Sequence, residues 1–319
     1  MIQYTWGLGS VVAECPACGH RRFKPLVHQI TGELYPDSTY GWCNRINSCG
    51  YKKFLSNNIR IDSSQMKKKP IKRKPKVFYP KALYEQKAEK GLTDSLKWYL
   101  NLVSDYKNSF DEVVQFYDLK VVKREEGRQC FPFIDSNNQI HAIQTKAFRD
   151  GHTIKDSTNW LHFNSDYYRQ DRKIDTIFGG HLNLDELVIL VEAPKTAILC
   201  FHLLINHQKF SDLNCELMDY YNCNDVSYVA VGGLSYFKEF RLRGLKKSKK
   251  VVAIPDVSEK AYSDWTQESL KFDNMEVFDF PNKESKEFEG WDLADFITKY
   301  RMIPSKLFSP NSNERITRI

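Results

Sequence analysis

From residue 187 to residue 300 short apolar runs alternate with stretches of helical period, and this alternation constrains the fold more than any other feature. "LVILVE" stops at Glu192 and is followed by "PKTAILCFHLLINHQ". "VSYVAVGG" precedes "LSYFKEFRLRGL", "KKVVAIPD" precedes "SEKAYSDWTQESLKF", and "MEVFDFP" precedes "GWDLADFITKY". Runs this apolar, without a polar residue at every second position, are the mark of strands covered on both faces. Strand–helix–strand order implies right-handed crossovers and a mostly parallel sheet. The expected class is α/β.

Upstream the pattern differs. "KALYEQKAEKGLTDSLKWYLNLV" carries Leu92, Leu96, Tyr99, Leu100 and Val103 at helical spacing and reads as helical. "QCFPFIDSNNQIHAIQTKAF" reads as two strands about the turn "DSNNQ".

The formal charge of +7 sits in one place. "KKKPIKRKPK" holds Lys67, Lys68, Lys69, Lys72, Arg73, Lys74 and Lys76 and no acid, and the rest of the chain carries 40 residues of each sign. A basic block on a neutral body is either a solvated linker or an arm that touches phosphates. Composition divides the chain into a cysteine-rich segment, 1–62, a basic linker, 63–80, a mixed domain, 81–310, and a tail, 311–319. The start, "MIQYTWGLGSVV", has no basic leader before an apolar run, and no apolar run approaches the roughly 20 residues that span a bilayer. The expectation is a soluble cytoplasmic protein with no membrane partner.

Four of the eight cysteines lie in the first 49 residues, as "CPACGH" and "CNRINSCGY". Two residues between Cys15 and Cys18 let one knuckle aim both sulfurs at a tetrahedral zinc. Cys43 and Cys49 form a wider second knuckle, and glycine follows the second cysteine of each pair. His20 or His28 replacing one sulfur is the alternative ligand set. Between the pairs lie Phe23, Tyr35, Tyr40 and Trp42, with Arg21, Arg22 and Lys24, which suits stacking on single-stranded bases or a miniature core equally well.

In an open parallel sheet, chemistry gathers beyond the carboxyl ends of the strands. Glu192 and Asp256 end two strands, Gly232 and Gly233 end a third, and Asp292 and Asp295 begin a helix. Carboxylates from neighbouring loops are the oxygen donors that Mg²⁺ or Mn²⁺ takes. For any one acid the alternative is a helix cap, which fits Asp256 and Asp292.

The order Glu192, Gly232-Gly233, Asp256 resembles the Toprim domain of bacterial primases, topoisomerases and related nucleases. Residues 127–162, "GRQCFPFIDSNNQIHAIQTKAFRDGHTIKDSTNWLH", resemble the N-terminal half of the bacterial primase polymerase domain, and a zinc ribbon ahead of both is the primase order. The chain is also similar to the zinc-ribbon, Toprim-bearing proteins of Bacteroidetes mobile elements. The resemblance implies a primase-like subdomain at 81–182 and a Toprim-like domain at 183–310. It implies Mg²⁺- or Mn²⁺-dependent nucleotidyl transfer on single-stranded DNA, with nucleotides as substrates and a replicative helicase as a partner in trans. Glu192 would act as general acid/base or indirect metal partner. Asp256 would hold the metal, with Glu259, Asp292 or Asp295 completing the set. Arg128 and Lys195 would contact phosphate, with a salt bridge and a solvated helix position as their plain alternatives. Two departures stand out. Toprim enzymes carry an acid-x-acid pair, whereas Ser258 stands two residues after Asp256 and Glu259 one later. Ala193-Pro194 follows Glu192 where primases have glycine. A non-catalytic DNA-binding module and a nuclease are therefore the competing readings.

Overall fold

The computed structural model describes residues 4–6, 13–28, 33–45, 49–53, 77–103, 110–125, 127–149, 152–154, 157–161, 174–280, 286–300, 302–303 and 317–318. The chain forms two compact units, Met1–Arg73 and Lys74–Ile319. The basic residues Lys67, Lys68, Lys69, Lys72, Arg73, Lys74 and Lys76 lie outside the described residues.

In the first unit β1 (Tyr4–Trp6), β2 (Phe23–His28), β3 (Gly41–Cys43) and β4 (Lys52–Lys53) form an antiparallel sheet in that order. Among the described residues its buried apolar side chains are Cys15, Phe23, Leu26, Val27 and Cys43; Cys15, Phe23 and Cys43 form a cluster, with Ala13, Cys18, Cys49 and Tyr51 packed against it. Gly19 and Gly50 have φ of +70° and +64°, so each knuckle turns through the left-handed region that glycine enters without strain.

The second unit opens with α1 (Lys81–Lys87), β5 (Ala88–Lys90), α2 (Asp94–Asn101) and α3 (Phe110–Tyr117). The stretch read as helical over 81–103 is thus interrupted. Ala88 pairs with Val122, and Thr93 caps α2 by accepting the Leu96 N–H, so a strand pairing and a new helix start replace continuity. Next come β6 (Lys120–Val122), β7 (Arg128–Ile134), β8 (Ile140–Arg149), β9 (His152–Thr153) and β10 (Asn159–Trp160). They form an antiparallel sheet ordered β10-β8-β7-β6-β5, with β9 on β8, and the expected hairpin is β7–β8.

The α/β half contains β11 (Leu187–Val191), α4 (Pro194–Asn206), α5 (Gln208–Tyr220), β12 (Val226–Ala230), α6 (Glu239–Leu242), β13 (Lys250–Ile254), α7 (Glu259–Ser269), β14 (Met275–Val277) and α8 (Leu293–Tyr300). A two-stranded pair follows, β15 (Met302–Ile303) with β16 (Thr317–Arg318). The expected parallel sheet is present, in the order β12-β11-β13-β14. Its continuous apolar strands face two cores. Leu187, Ile189 and Val191 enter one, with α4, α5 and α8, and Val188 and Leu190 enter the other, with Phe237 and Trp265. Burying each such side chain contributes about 1.5–3 kcal/mol. The first core also holds Phe131, Phe133 and Tyr117, so it joins the two sheets. No helix among the described residues is long and apolar enough to cross a membrane.

One local expectation fails and one helix was not foreseen. The helix after β11 ends at Asn206, near the expected Gln208, but His207 then caps a second, unforeseen helix, α5, whose Phe210, Leu213 and Leu217 reach the core. "LSYFKEFRLRGL" is not one helix but two 3₁₀ segments around the four-residue α6. Arg241 explains part of this: it is 4% exposed, lies against the rings of Tyr236 and Phe133, and donates from Nε to the Thr176 carbonyl. Anchoring that side chain inside bends the backbone around it.

The buried His141 ties the β7–β8 turn to the strand-like segment entering the α/β half. Its Nε2 is 2.9 Å from Asp135 Oδ2 and its Nδ1 is 2.8 Å from Asp175 Oδ1. Burial opposes ionisation of Asp135, but His141 and the Gln139 and Asn137 N–H groups outweigh it and hold the carboxyl below its usual value. A depressed carboxyl adds stability above its unfolded pKa of about 3.9 and loses it as pH falls through the lower folded value. Urea unfolding between pH 3 and 7 is expected to show His141→Phe about 1–3 kcal/mol less stable at pH 7, with a flatter acid limb than the parent. Parallel acid limbs would contradict the coupling.

Candidate functional site

The four sulfurs of Cys15, Cys18, Cys43 and Cys49 lie within 4.8 Å of one another. The Cys15–Cys49 and Cys18–Cys43 separations are 3.7 and 3.9 Å. Sulfurs about 2.3 Å from a tetrahedral zinc stand about 3.8 Å apart, so the spacing is that of a closed structural site. The thiols do not share charge evenly. Cys18 is drawn down to about 6, first by the His20 N–H, whereas Cys49 is pushed up to about 12, its Tyr51 N–H outweighed by burial and the neighbouring sulfurs. A dication relieves that conflict. The four cysteines are thus placed as a structural zinc site would place them; His20 turns its Nδ1 to the Cys18 carbonyl, 2.8 Å away.

The second site forms where the parallel strands end. Val191 pairs with Ala230 on one side and Ile254 on the other, so Glu192, Gly232 and Asp256 leave the sheet side by side. Gly232 N–H donates to the Glu192 carbonyl at 2.8 Å. Gly232 has φ +92°, and a Cβ there would lie 2.6 Å from the Phe133 ring, so the tight passage under β7 excludes a side chain. The loop before α8 is sewn to the end of β13 by Val257 N–H to the Trp291 carbonyl and Gly290 N–H to the Val257 carbonyl, both 2.7 Å. That stitching carries Asp292 to the other acids.

The electrostatics are those of crowded carboxyl groups with two lysines among them. Asp256 is pushed up to about 9, by burial first and then by Glu192 and Asp292, with Lys195 opposing. Its Oδ1 is buried without a hydrogen-bond partner among the described residues. Glu192 is also raised, by burial, against the Leu234 N–H and Lys146, which favour its charge. Lys146 on β8 is lowered by burial, while Glu192, Asp256 and Asp292 pull the other way. Asp295 acts on Asp256 as well, and Lys195 Nζ is 3.9 Å from Asp292 Oδ2. Glu192, Asp256, Asp292, Asp295 and Lys195 thus converge.

Glu259 is exposed on the first turn of α7, and Ser258 caps that helix by accepting the Ala261 N–H at 3.0 Å. Arg128 lies against Thr145, Ser157 and Glu125: it donates to Thr145 Oγ1 at 3.3 Å and to the Ser157 carbonyl at 2.5 Å, and pairs with Glu125. It lines a cavity of about 460 Å³ with Lys87, Lys123, Arg124 and Trp160. Thr145 and Lys146 are neighbours on β8 and point to opposite faces of it. Lys146 and Gln144 are the residues that sequence reasoning missed. Gln144 donates from Nε2 to the Gly232 carbonyl at 3.0 Å. The signal was present as two polar residues at i and i+2 on a strand face whose other members, Ile140, Ala142 and Phe148, are apolar.

The carboxylates suit a hard dication by donor type, and the unpartnered Asp256 oxygen is a free donor for one. They are not drawn together as the sulfurs are: among the described residues the cysteines are the one group of three or more ligands within 4.8 Å.

A family model described as a domain of unknown function (DUF6371) matches residues 96–257, just over half of the chain. The chain belongs to this family. Residues 3–62 match a family of zinc β-ribbon fingers. Within the DUF6371 span lie Glu192, Lys195, Lys146, Arg128 and Asp256, whereas Asp292 falls beyond it. No curated protein matches. Among solved structures, the primase fragment of the bacteriophage T7 primase-helicase is 13% identical, covering 91% of this chain and 94% of that one, with a TM-score of 0.41. The zinc-binding and RNA polymerase domains of the Aquifex aeolicus primase are 13% identical over 65% of this chain and 58% of that one, with a TM-score of 0.36. Neither likeness is close enough to carry a functional argument.

Proposed function

We propose that this DUF6371 protein is a primase-like enzyme that makes primers on single-stranded DNA by Mg²⁺- or Mn²⁺-dependent nucleotidyl transfer. The observation that carries the reading is Asp256: a partly buried carboxyl whose buried Oδ1 has no hydrogen-bond partner among the described residues, beside Glu192 and Asp292 at the carboxyl ends of a parallel sheet. The Toprim-like order Glu192, Gly232-Gly233, Asp256 supports it. Asp256 and Asp292 would hold the cation, Asp295 would help to orient Asp292, and Glu192 would act as general base or indirect metal partner. Such a cation orients phosphates and offsets charge that develops in transfer. Lys146 and Lys195 bring positive charge to the same cleft, where nucleotide phosphates would lie. The zinc ribbon, the basic arm and the cavity beside Arg128 are the surfaces proposed for DNA. Replication of a mobile element or phage, with a replicative helicase in trans, is the proposed setting.

Ser258 favours a second reading. It spends its side chain on a helix cap where a second acid would stand, as fits a non-catalytic DNA-binding module. A Toprim nuclease is the third. One gel separates them. The protein is incubated with single-stranded DNA, labelled ribonucleotides and Mg²⁺, and short labelled RNA is expected, reduced at least 100-fold in Asp256→Asn. Shortened template would point to the nuclease, and neither product to the binding module.

A further inference from the structure

Asp292 is held more firmly than a helix cap requires. It is 8% exposed and stands just before α8. Its Oδ1 accepts the Asp295 N–H at 2.8 Å, and Asp295 Oδ2 accepts the Asp292 N–H at 3.1 Å, a reciprocal cap. That uses one oxygen of Asp292. The other, Oδ2, accepts the hydroxyl of Thr196 at 2.7 Å.

Thr196 is fully buried in the first turn of α4, four residues after Glu192. A threonine inside a helix commonly returns its hydroxyl to a carbonyl of the preceding turn. Here the hydroxyl leaves its own helix for a carboxylate 96 residues further along the chain. Hydroxyl–carboxylate bonds of this length are charge-assisted, and burial strengthens them. The bond therefore ties the turn that carries Glu192 to the loop that carries Asp292. An ionised carboxylate has about four acceptor positions. Thr196 and the Asp295 N–H take one on each oxygen, which fixes the plane of the group; Lys195 Nζ stands 3.9 Å from Oδ2, and the second position on Oδ1 is left for a cation.

We propose that Thr196 is a positioning residue that presents Asp292 as the third carboxylate of the cleft, in the place that Ser258 leaves unfilled. This rests on reading the cluster as a divalent-cation site. Thr196 itself stays out of contact with the cation and acts through the oxygen it holds. A residue that only buttressed the fold would change stability and leave cation affinity alone.

The test is calorimetric titration of Mn²⁺ into the zinc-loaded full chain at neutral pH, for the parent, Thr196→Val, Thr196→Ser and Asp256→Asn. Thr196→Val keeps the shape and removes the donor, and is expected to weaken Mn²⁺ binding about 10- to 100-fold, the usual scale for a partner that orients a ligand. Thr196→Ser keeps the hydroxyl and should stay close to the parent. Circular dichroism checks that each variant is folded, and Thr196→Ala serves in the same comparison if the valine is not accommodated. A folded Thr196→Val or Thr196→Ala that binds Mn²⁺ as the parent does overturns the role of Thr196 while leaving the cation site standing. A parent that takes up no Mn²⁺ beyond what Asp256→Asn takes up overturns the cation site itself, and the role with it.

Discussion

Without added divalent metal, Asp256→Asn is expected to be more stable than the parent at pH 8, by on the order of 2 kcal/mol, or roughly 4–8 °C in melting temperature. The direction follows from the site. Burial, Glu192 and Asp292 raise the Asp256 carboxyl to about 9, so the folded protein keeps a proton there that the unfolded chain releases near pH 3.9. A raised carboxyl makes folding less favourable as pH rises from the unfolded value toward the folded one. Asparagine keeps the shape and removes the charge, so the gain should grow between pH 5 and 9 and vanish near pH 4, where both side chains are neutral. Melting of both proteins across that range checks it. A variant less stable than the parent at every pH would mark Asp256 as a structural cap, for which a loss of about 1 kcal/mol is usual.

Removing zinc is expected to have a larger effect, confined to the first unit. The cluster of Cys15, Phe23 and Cys43 is too small to hold a four-stranded sheet unaided, and the sulfurs that surround it repel one another once ionised. Structural zinc in modules of this kind contributes about 10–16 kcal/mol of apparent folding free energy. Metal analysis should find about one zinc per chain, and Cys43→Ser/Cys49→Ser should carry none. The altered first unit should lose its ordered signal, read at Trp42 by fluorescence, while the core around β11 melts as before. Full zinc occupancy in the double variant would contradict the four-sulfur assignment.

What was legible in the sequence was what local periodicity encodes. β11 and its neighbours are covered on both faces, so their apolar runs stand out, and the acids that end them are visible as interruptions. The zinc knuckles are legible because a cysteine spacing and a glycine with positive φ are adjacent in sequence. The rest depends on partners far along the chain. Lys146 belongs to the carboxylate cluster because β8 passes it; its strand shows two polar residues on one otherwise apolar face, but not what that face meets. Thr196 looks like an ordinary helical threonine until Asp292 arrives from α8. Asp135, His141 and Asp175 look like turn and strand residues until the β7–β8 hairpin meets the segment after residue 174. The break after Lys87 was hidden for the same reason, since Ala88 leaves the helix to pair with Val122. α5 is a different kind of miss: Phe210, Leu213 and Leu217 keep helical spacing, but its many polar residues masked the continuation.

The central claim is that Glu192, Asp256 and Asp292 form a cleft whose charge conflict a divalent cation relieves. Melting of the parent and Asp256→Asn across a Mg²⁺ and Mn²⁺ series tests it most directly. A ligand at about 100 times its dissociation constant stabilises the folded state by about 2.7 kcal/mol, roughly 5–10 °C here. The account predicts that the parent's melting temperature climbs with metal while Asp256→Asn stays flat, so that metal narrows or reverses the variant's advantage. A parent whose melting ignores both metals would contradict it.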